Sequence, residues 1–265
     1  MNERFYGKIN LNEESSRNLT FLPDQGLNLE LCVTDSTFLF EKFLPLRKEL
    51  QNTIEQLGLR TILHLPFYGL QLGCKDYYIR DLSYNLISQG LLRCSELNIN
   101  RAVMHVSFPS HIPTAGAKNW LKSFYLNLEK ILLYCQEKKI TLYLENTFEP
   151  DSEIFERIFD HFVSDNLLMC LDIAHVYCYS KSGFSDWWNN LQSKIGHVHL
   201  SDNNTFEDSH LALGKGKIDF QDVFEKSFSK DVTYTLETEI SCFQESLAYL
   251  ARFLQPPAKL IRTQS

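Results

Sequence analysis

Six residues with metal-binding side chains recur along this chain at intervals close to one β-strand plus one α-helix: His64, His105, Glu145, Asp172, His199 and Glu237. The gaps are 41, 40, 27, 27 and 38 residues. Five of the six close or sit inside short apolar runs (TILHLP, AVMHVS, LYLENT, CLDIAH and VHLSD), and the sixth lies in YTLETE. A fold that gathers the C-terminal ends of successive parallel strands on one face brings all six together. The (β/α)8 barrel does this, and builds its active sites on that face. Imidazoles and carboxylates converging there form the donor set that a divalent first-row cation takes.

Eight strand-like runs support the barrel: 4–9, 28–33, 60–65, 101–106, 140–145, 167–173, 195–200 and 232–237. Several are continuously apolar, as expected of parallel strands covered on both faces. Helix signals fill the gaps. Tyr84, Ile87, Leu91 and Cys94 follow three-four spacing, as do Phe124, Leu128, Ile131 and Cys135, and Phe243, Leu247, Leu250 and Leu254. Ser241 and Gln244 read as a capping box for the last of these, and Asp219 as the N-cap of another helix. Residues 11–27 carry a weak helix signal. The 265 residues fit one barrel, whose usual size is about 250 residues, with 256–265 an irregular tail.

The formal net charge is −7, with no run of Lys or Arg longer than a pair. That argues against binding driven by phosphate neutralisation, although bound cations add charge that this count omits. The seven cysteines are scattered, without a C-x-x-C pair, and read as small buried hydrophobes in a reducing compartment. Neither a signal-peptide core nor a membrane-length apolar run is present, so the expected location is cytoplasmic. An oligomer is compatible with all of this.

A lone histidine closing an apolar run is more often a hydrogen-bonded core residue than a ligand. Coincidence across several strand ends reverses that weighting. Asp172 and His175 form an Asp-x-x-His pair at the end of the sixth strand, where the histidine returns to the pocket one turn later. Asp208 and His210 lie in the loop after the seventh strand, with Gly214 and Gly216 expected to pin that loop through tight turns. Glu145 and Glu237 can face one another across a substrate, bridging metals or acting as acid and base. Glu239 competes with Glu237, and His197 with His199; the choice falls on His199 because it lies nearer the C-terminal mouth. His111 and His161 sit in polar or helical contexts and read as bystanders.

The segments HLPF (64–67), LENT (144–147), LDIAH (171–175), HLSD (199–202), DSHLALGKG (208–216) and LETE (236–239) together resemble the xylose isomerase-like TIM barrels. That superfamily holds sugar and sugar-phosphate isomerases and epimerases as well as the endonuclease IV enzymes. For the isomerases, the resemblance implies metal ligation by Glu145, Asp172, His199 and Glu237, proton transfer by Glu145 and Glu237, and substrate contact by His175. For endonuclease IV it implies a three-metal site of His64, His105, Glu145, Asp172, His175, His199, Asp208, His210 and Glu237. All nine positions carry a suitable residue. The chain departs from endonuclease IV at Phe67, where a tyrosine is usual, in its first strand, which lacks Gly-Ala-His, and at Lys215, which interrupts an acidic position.

The first expectation is therefore a metal-dependent isomerase or epimerase of a sugar or sugar phosphate, with one to three zinc or manganese ions. Phe67, Trp187 and Lys215 are the expected substrate contacts, with Tyr68, Phe108 and Trp188 also near loop positions. The alternative is a multi-metal phosphodiesterase acting on abasic DNA, and only then is nucleic acid a partner.

Overall fold

The computed structural model describes residues 3–11, 19–34 and 36–254. Eight strands, β1 (Phe5–Asn10), β2 (Asn28–Cys32), β3 (Thr61–His64), β4 (Arg101–His105), β5 (Thr141–Glu145), β6 (Leu167–Asp172), β7 (Ile195–Leu200) and β8 (Thr233–Leu236), each lie parallel to the next. Pairing of β1 with β8 closes the barrel. All eight runs read from the sequence are strands. Runs such as TLYLE and LLMCLD are almost wholly buried because helices cover their outer face while barrel neighbours cover the inner one.

Register then sets the site. His105 stands opposite Glu145 on the neighbouring strand, and Asp172 opposite His199. Inside the barrel, Tyr6, Ile62, Val103, Tyr143 and Cys170 form a small apolar cluster separate from the main core. The main core fills the space between strands and helices.

The α-helices among the described residues are α1 (Phe21–Gln25), α2 (Phe43–Leu57), α3 (Tyr77–Glu96), α4 (Thr114–Lys138), α5 (Glu153–His161), α6 (Ile173–Tyr179), α7 (Phe184–Leu191), α8 (Phe220–Ser227) and α9 (Phe243–Leu254). The expected face of α4 (Phe124, Leu128, Ile131, Cys135) is buried throughout. Asp219 caps α8 by accepting from the Gln221 N–H. The Ser241–Gln244 capping box does not form: Ser241 lies in a 3-10 turn, Ile240–Cys242, that leads directly into α9. The weak signal over 11–27 yields only the five-residue α1; residues 12–18, like the tail 256–265, lie outside the described residues. Among the described residues no helix is long and apolar enough to cross a membrane.

Candidate metal centre

Glu145 ends β5 at the middle of the barrel mouth and is almost fully buried. Its Oε2 lies 3.0 Å from His64 Nε2 and 3.2 Å from His105 Nε2. Its Oε1 lies 3.3 Å from His199 Nδ1 and 3.6 Å from His175 Nδ1. Glu237, one residue past β8, places Oε1 3.0 Å from His199 Nδ1 and 2.8 Å from Lys8 Nζ. Asp172 Oδ1 accepts from the His175 N–H as α6 begins, which turns Oδ2 toward His175 and His199 at 3.7 and 3.8 Å. Asp208 Oδ2 completes the cluster, 3.2 Å from His175 Nε2 and 3.0 Å from His210 Nε2.

Three imidazoles are aimed by the main chain. His64 Nδ1 lies 3.0 Å from the Leu65 carbonyl, His175 Nδ1 2.7 Å from that of Asn146, and His210 Nδ1 2.7 Å from that of Glu237. A carbonyl only accepts, so each Nδ1 carries a proton and each Nε2 is offered inward, toward a carboxylate oxygen. Such outer hydrogen bonds are how proteins orient metal-binding histidines. Two further observations fit a cation. Asp172 Oδ2 and Asp208 Oδ1 are buried without a hydrogen-bond partner, a costly condition that an ion relieves. And ligand atoms sharing a tetrahedral ion stand about 3.4 Å apart, close to the 3.0–3.3 Å separations around Glu145 and Asp208.

Electrostatics divide the carboxylates. Burial opposes ionisation of Glu145, yet His105 and His199 hold its carboxyl well below the usual range. Glu237 is likewise held low against burial, by Lys8 and His199. Burial pushes Asp172 up to about 7. Burial would lower His175, but Asp172 and its acidic neighbours raise it to about 10.

Residues 29–255 match the family model described as xylose isomerase-like TIM barrel. The chain belongs to this family. Among curated relatives, an uncharacterised Methanocaldococcus jannaschii protein is 25% identical over 206 residues, covering 74% of this chain and 69% of its own. The probable endonuclease 4 of Mycoplasma capricolum is 24% identical over 212 residues, covering 72% and 71%. Among solved structures, a Thermus thermophilus protein soaked with ZnCl2 superposes with TM-score 0.81 at 25% identity, over 96% of this chain and 98% of that one. A D-tagatose 3-epimerase-like protein shares the fold, with TM-score 0.81 at 22% identity over 95% and 97%.

All nine ligand-type residues implied by the endonuclease IV resemblance, the four of the isomerase set among them, come together at the mouth. Six of them, His105, Glu145, His175, Asp208, His210 and Glu237, border a cavity of about 820 Å³ whose wall includes Phe67 and Tyr68, while His64, Asp172 and His199 lie behind that wall. The Phe67 ring stacks on His105 at 4.5 Å. Between the competing pairs, Glu237 points into the centre while Glu239 is exposed. His197 lies below the centre, bonded to Thr233 and Thr235. His111 also lines the cavity, and His161 stacks on Tyr125 elsewhere.

Two expected substrate contacts are corrected. Trp187 is fully buried in α7, packed on Phe155 with its indole N–H donated to Ser180 Oγ, and does not reach the cavity. Its neighbour Trp188 is core as well. The apolar face of α7 points at the barrel wall, and the sequence places both indoles on that face. Lys215 is an exposed side chain paired with Glu245 and also lies off the cavity.

Sequence reasoning missed Lys8 and Glu30. The signal was available: NLELC is buried at every position, so the one carboxylate within it needs a polar reason to be there. It also missed Asp202 of HLSD, whose carboxylate accepts from the N–H groups of Asn203, Gly214, Gly216 and Ile218. The expectation that Gly214 and Gly216 pin the loop holds in this form. Gly214 adopts φ 80°, and a Cβ on Gly216 would lie 2.3 Å from Asn203 O and Asp202 Oδ1.

Proposed function

We propose that this protein is a divalent-metal-dependent isomerase or epimerase of a small sugar or sugar phosphate. The observation that carries the reading is the pair Glu145 and Glu237. They stand three strands apart on the barrel, yet both carboxylates lie within 3.3 Å of His199 Nδ1 and line one cavity. Glu145, Asp172, His199 and Glu237 would hold the ion, zinc or manganese by donor type, with room in the full ligand set for up to three. A bound cation would supply Lewis-acid polarisation of a substrate carbonyl.

The chain's own residues account for the rest. Glu145 and Glu237 are both ionised at neutral pH, so either can accept the carbon-bound proton and the pair can return it to the same or the adjacent carbon. Lys8 holds Glu237 Oε1, leaving Oε2 the freer oxygen for that transfer. His175 borders the cavity, where it can meet a substrate hydroxyl, and the ring of Phe67 covers an apolar sugar face.

The second reading, a multi-metal phosphodiesterase acting on abasic DNA, is favoured by Asp208 standing between His175 and His210, a second cluster beyond what one ion requires. It also has the endonuclease 4 relative on its side. Against it, Lys8 is the one lysine or arginine along the cavity among the described residues, and it is committed to Glu237. DNA binding rests on phosphate contacts that such a wall does not provide.

The deciding experiment gives metal-replete protein both a panel of aldoses and ketoses in D2O and an abasic-site duplex. The expected result is deuterium entry into a sugar, with Glu145→Gln lowering the rate by roughly 10²–10⁴-fold. Strong Glu145-dependent incision without sugar turnover would reverse the assignment.

A further inference from the structure

Beneath the centre, Glu30 of β2 is a carboxylate with no access to solvent. Its Oε2 accepts from Thr235 Oγ1 at 2.5 Å and lies 3.2 Å from His197 Nε2, while His197 Nδ1 meets Thr233 Oγ1 at 2.7 Å. One oxygen of Glu30 is thus tied into a floor network. The other, Oε1, lies 3.1 Å from His199 Nε2 as an ion-pair contact, and neither of these two buried atoms has a hydrogen-bond partner. On the opposite edge of the same ring, Nδ1 faces Glu237 Oε1 at 3.0 Å, Glu145 Oε1 at 3.3 Å and Asp172 Oδ2 at 3.8 Å.

We infer that Glu30 is a positioning residue for the metal centre: with Oε1 3.1 Å from Nε2, it stands as the acceptor for that edge of His199 when a cation takes Nδ1 on the edge that faces the three carboxylates above. The two ring nitrogens compete for one ligand role, and the partner of one decides which is left for a cation. His64, His175 and His210 are each set by a main-chain carbonyl. His199 has no carbonyl partner of this kind, and Glu30 stands in that place. The carboxylate does a second thing a carbonyl cannot, since its negative charge raises the basicity of the ring it supports. Glu30 does not border the cavity, so it acts through His199 and not on a substrate. An apolar residue would fill a fully buried strand position without burying a charge; the polar contacts of the Glu30 carboxylate are to the two β7 histidines and a β8 threonine.

The inference rests on the metal half of the proposed function and is independent of the sugar. Its test is zinc titrated into metal-stripped wild type, Glu30→Gln and His199→Ala in competition with a chromogenic chelator, with folding followed by circular dichroism. His199→Ala identifies the zinc that this ring holds. Glu30→Gln, nearly isosteric, is expected to weaken that zinc by roughly 10–100-fold while the metal-free fold is retained. Zinc affinity within twofold of wild type would overturn the inference. A readout that needs no folded Glu30 variant is ¹⁵N-histidine NMR of the zinc-loaded wild type, with the His199→Ala spectrum giving the assignment. The expected pattern is a metal-shifted Nδ1 and a protonated Nε2 on His199; zinc on Nε2, or an Nε2 without its proton, would overturn it. Wild type that takes up no divalent ion would sink the metal reading and Glu30 together, whereas normal uptake unaffected by Glu30→Gln would sink Glu30 alone.

Discussion

Asp202→Asn isolates the device that holds the Asp208–His210 loop of the site. Asp202 is fully buried and accepts four main-chain N–H groups: Oδ1 from Asn203 and Ile218 at 2.8 and 3.1 Å, Oδ2 from Gly214 and Gly216 at 2.9 and 2.8 Å. Its own backbone pairs with Leu211, so one residue holds both ends of the loop that carries Asp208 and His210. Asparagine keeps the shape but has a single accepting oxygen, so two of the four N–H groups must face an amide NH2. Hydrogen bonds to a charged acceptor are worth about 1.5–3 kcal/mol each, and a buried unpaired donor costs about as much. Two lost bonds thus give about 3–6 kcal/mol. Loop relaxation and water entry favour the lower end. About 3 kcal/mol corresponds to a fall in Tm of roughly 6–12 °C for a domain near this size. Differential scanning calorimetry of the metal-free protein measures it, and metal content read in parallel should fall at the Asp208–His210 cluster. A shift below about 2 °C with metal content intact would refute the argument that Asp202 organises this loop.

Replacing Asp208 and His210 together with alanine should remove roughly one metal per chain by elemental analysis, and unchanged content would mean that the pair is structural. Metal affinity should rise with pH. Below about 7, the raised carboxyl of Asp172, and up to about 10 the imidazole of His175, hold protons that a cation must displace. The dependence should therefore be steepest on the acid side of 7, and a flat titration between pH 6 and 8 would contradict it. Trp187→Ala should cost about 3–5 kcal/mol of stability in urea unfolding yet leave metal content unchanged. Lost metal in a folded Trp187→Ala protein would show that α7 does more than pack the barrel wall.

The eight strands and the convergence of His64, His105, Glu145, Asp172, His199 and Glu237 were legible in the sequence because both are periodic. A parallel strand buried on both faces must be an apolar run, and a barrel turns equal spacing along the chain into proximity at one mouth. The strand-adjacent pairs Asp172–His175 and Asp208–His210 were legible for the same reason. Other features depended on which way individual side chains point across long sequence distances. Trp187 looked available to a substrate, but the helix rotation that buries its indole is set by packing against Phe155. Lys215 looked like a site cation, but its partner is Glu245 on α9, in the next βα unit. Conversely, Lys8 joins Glu237 across the β1–β8 seam, where the first and last strands meet only once the barrel closes. Glu30 reaches His197 and His199 through the barrel interior, a contact between side chains 167 or more residues apart. Which ligand-type residues meet at the mouth is a property of the chain's rhythm. The orientation of each imidazole, and with it the chemistry the centre can perform, is decided by hydrogen bonds that exist only in the closed fold.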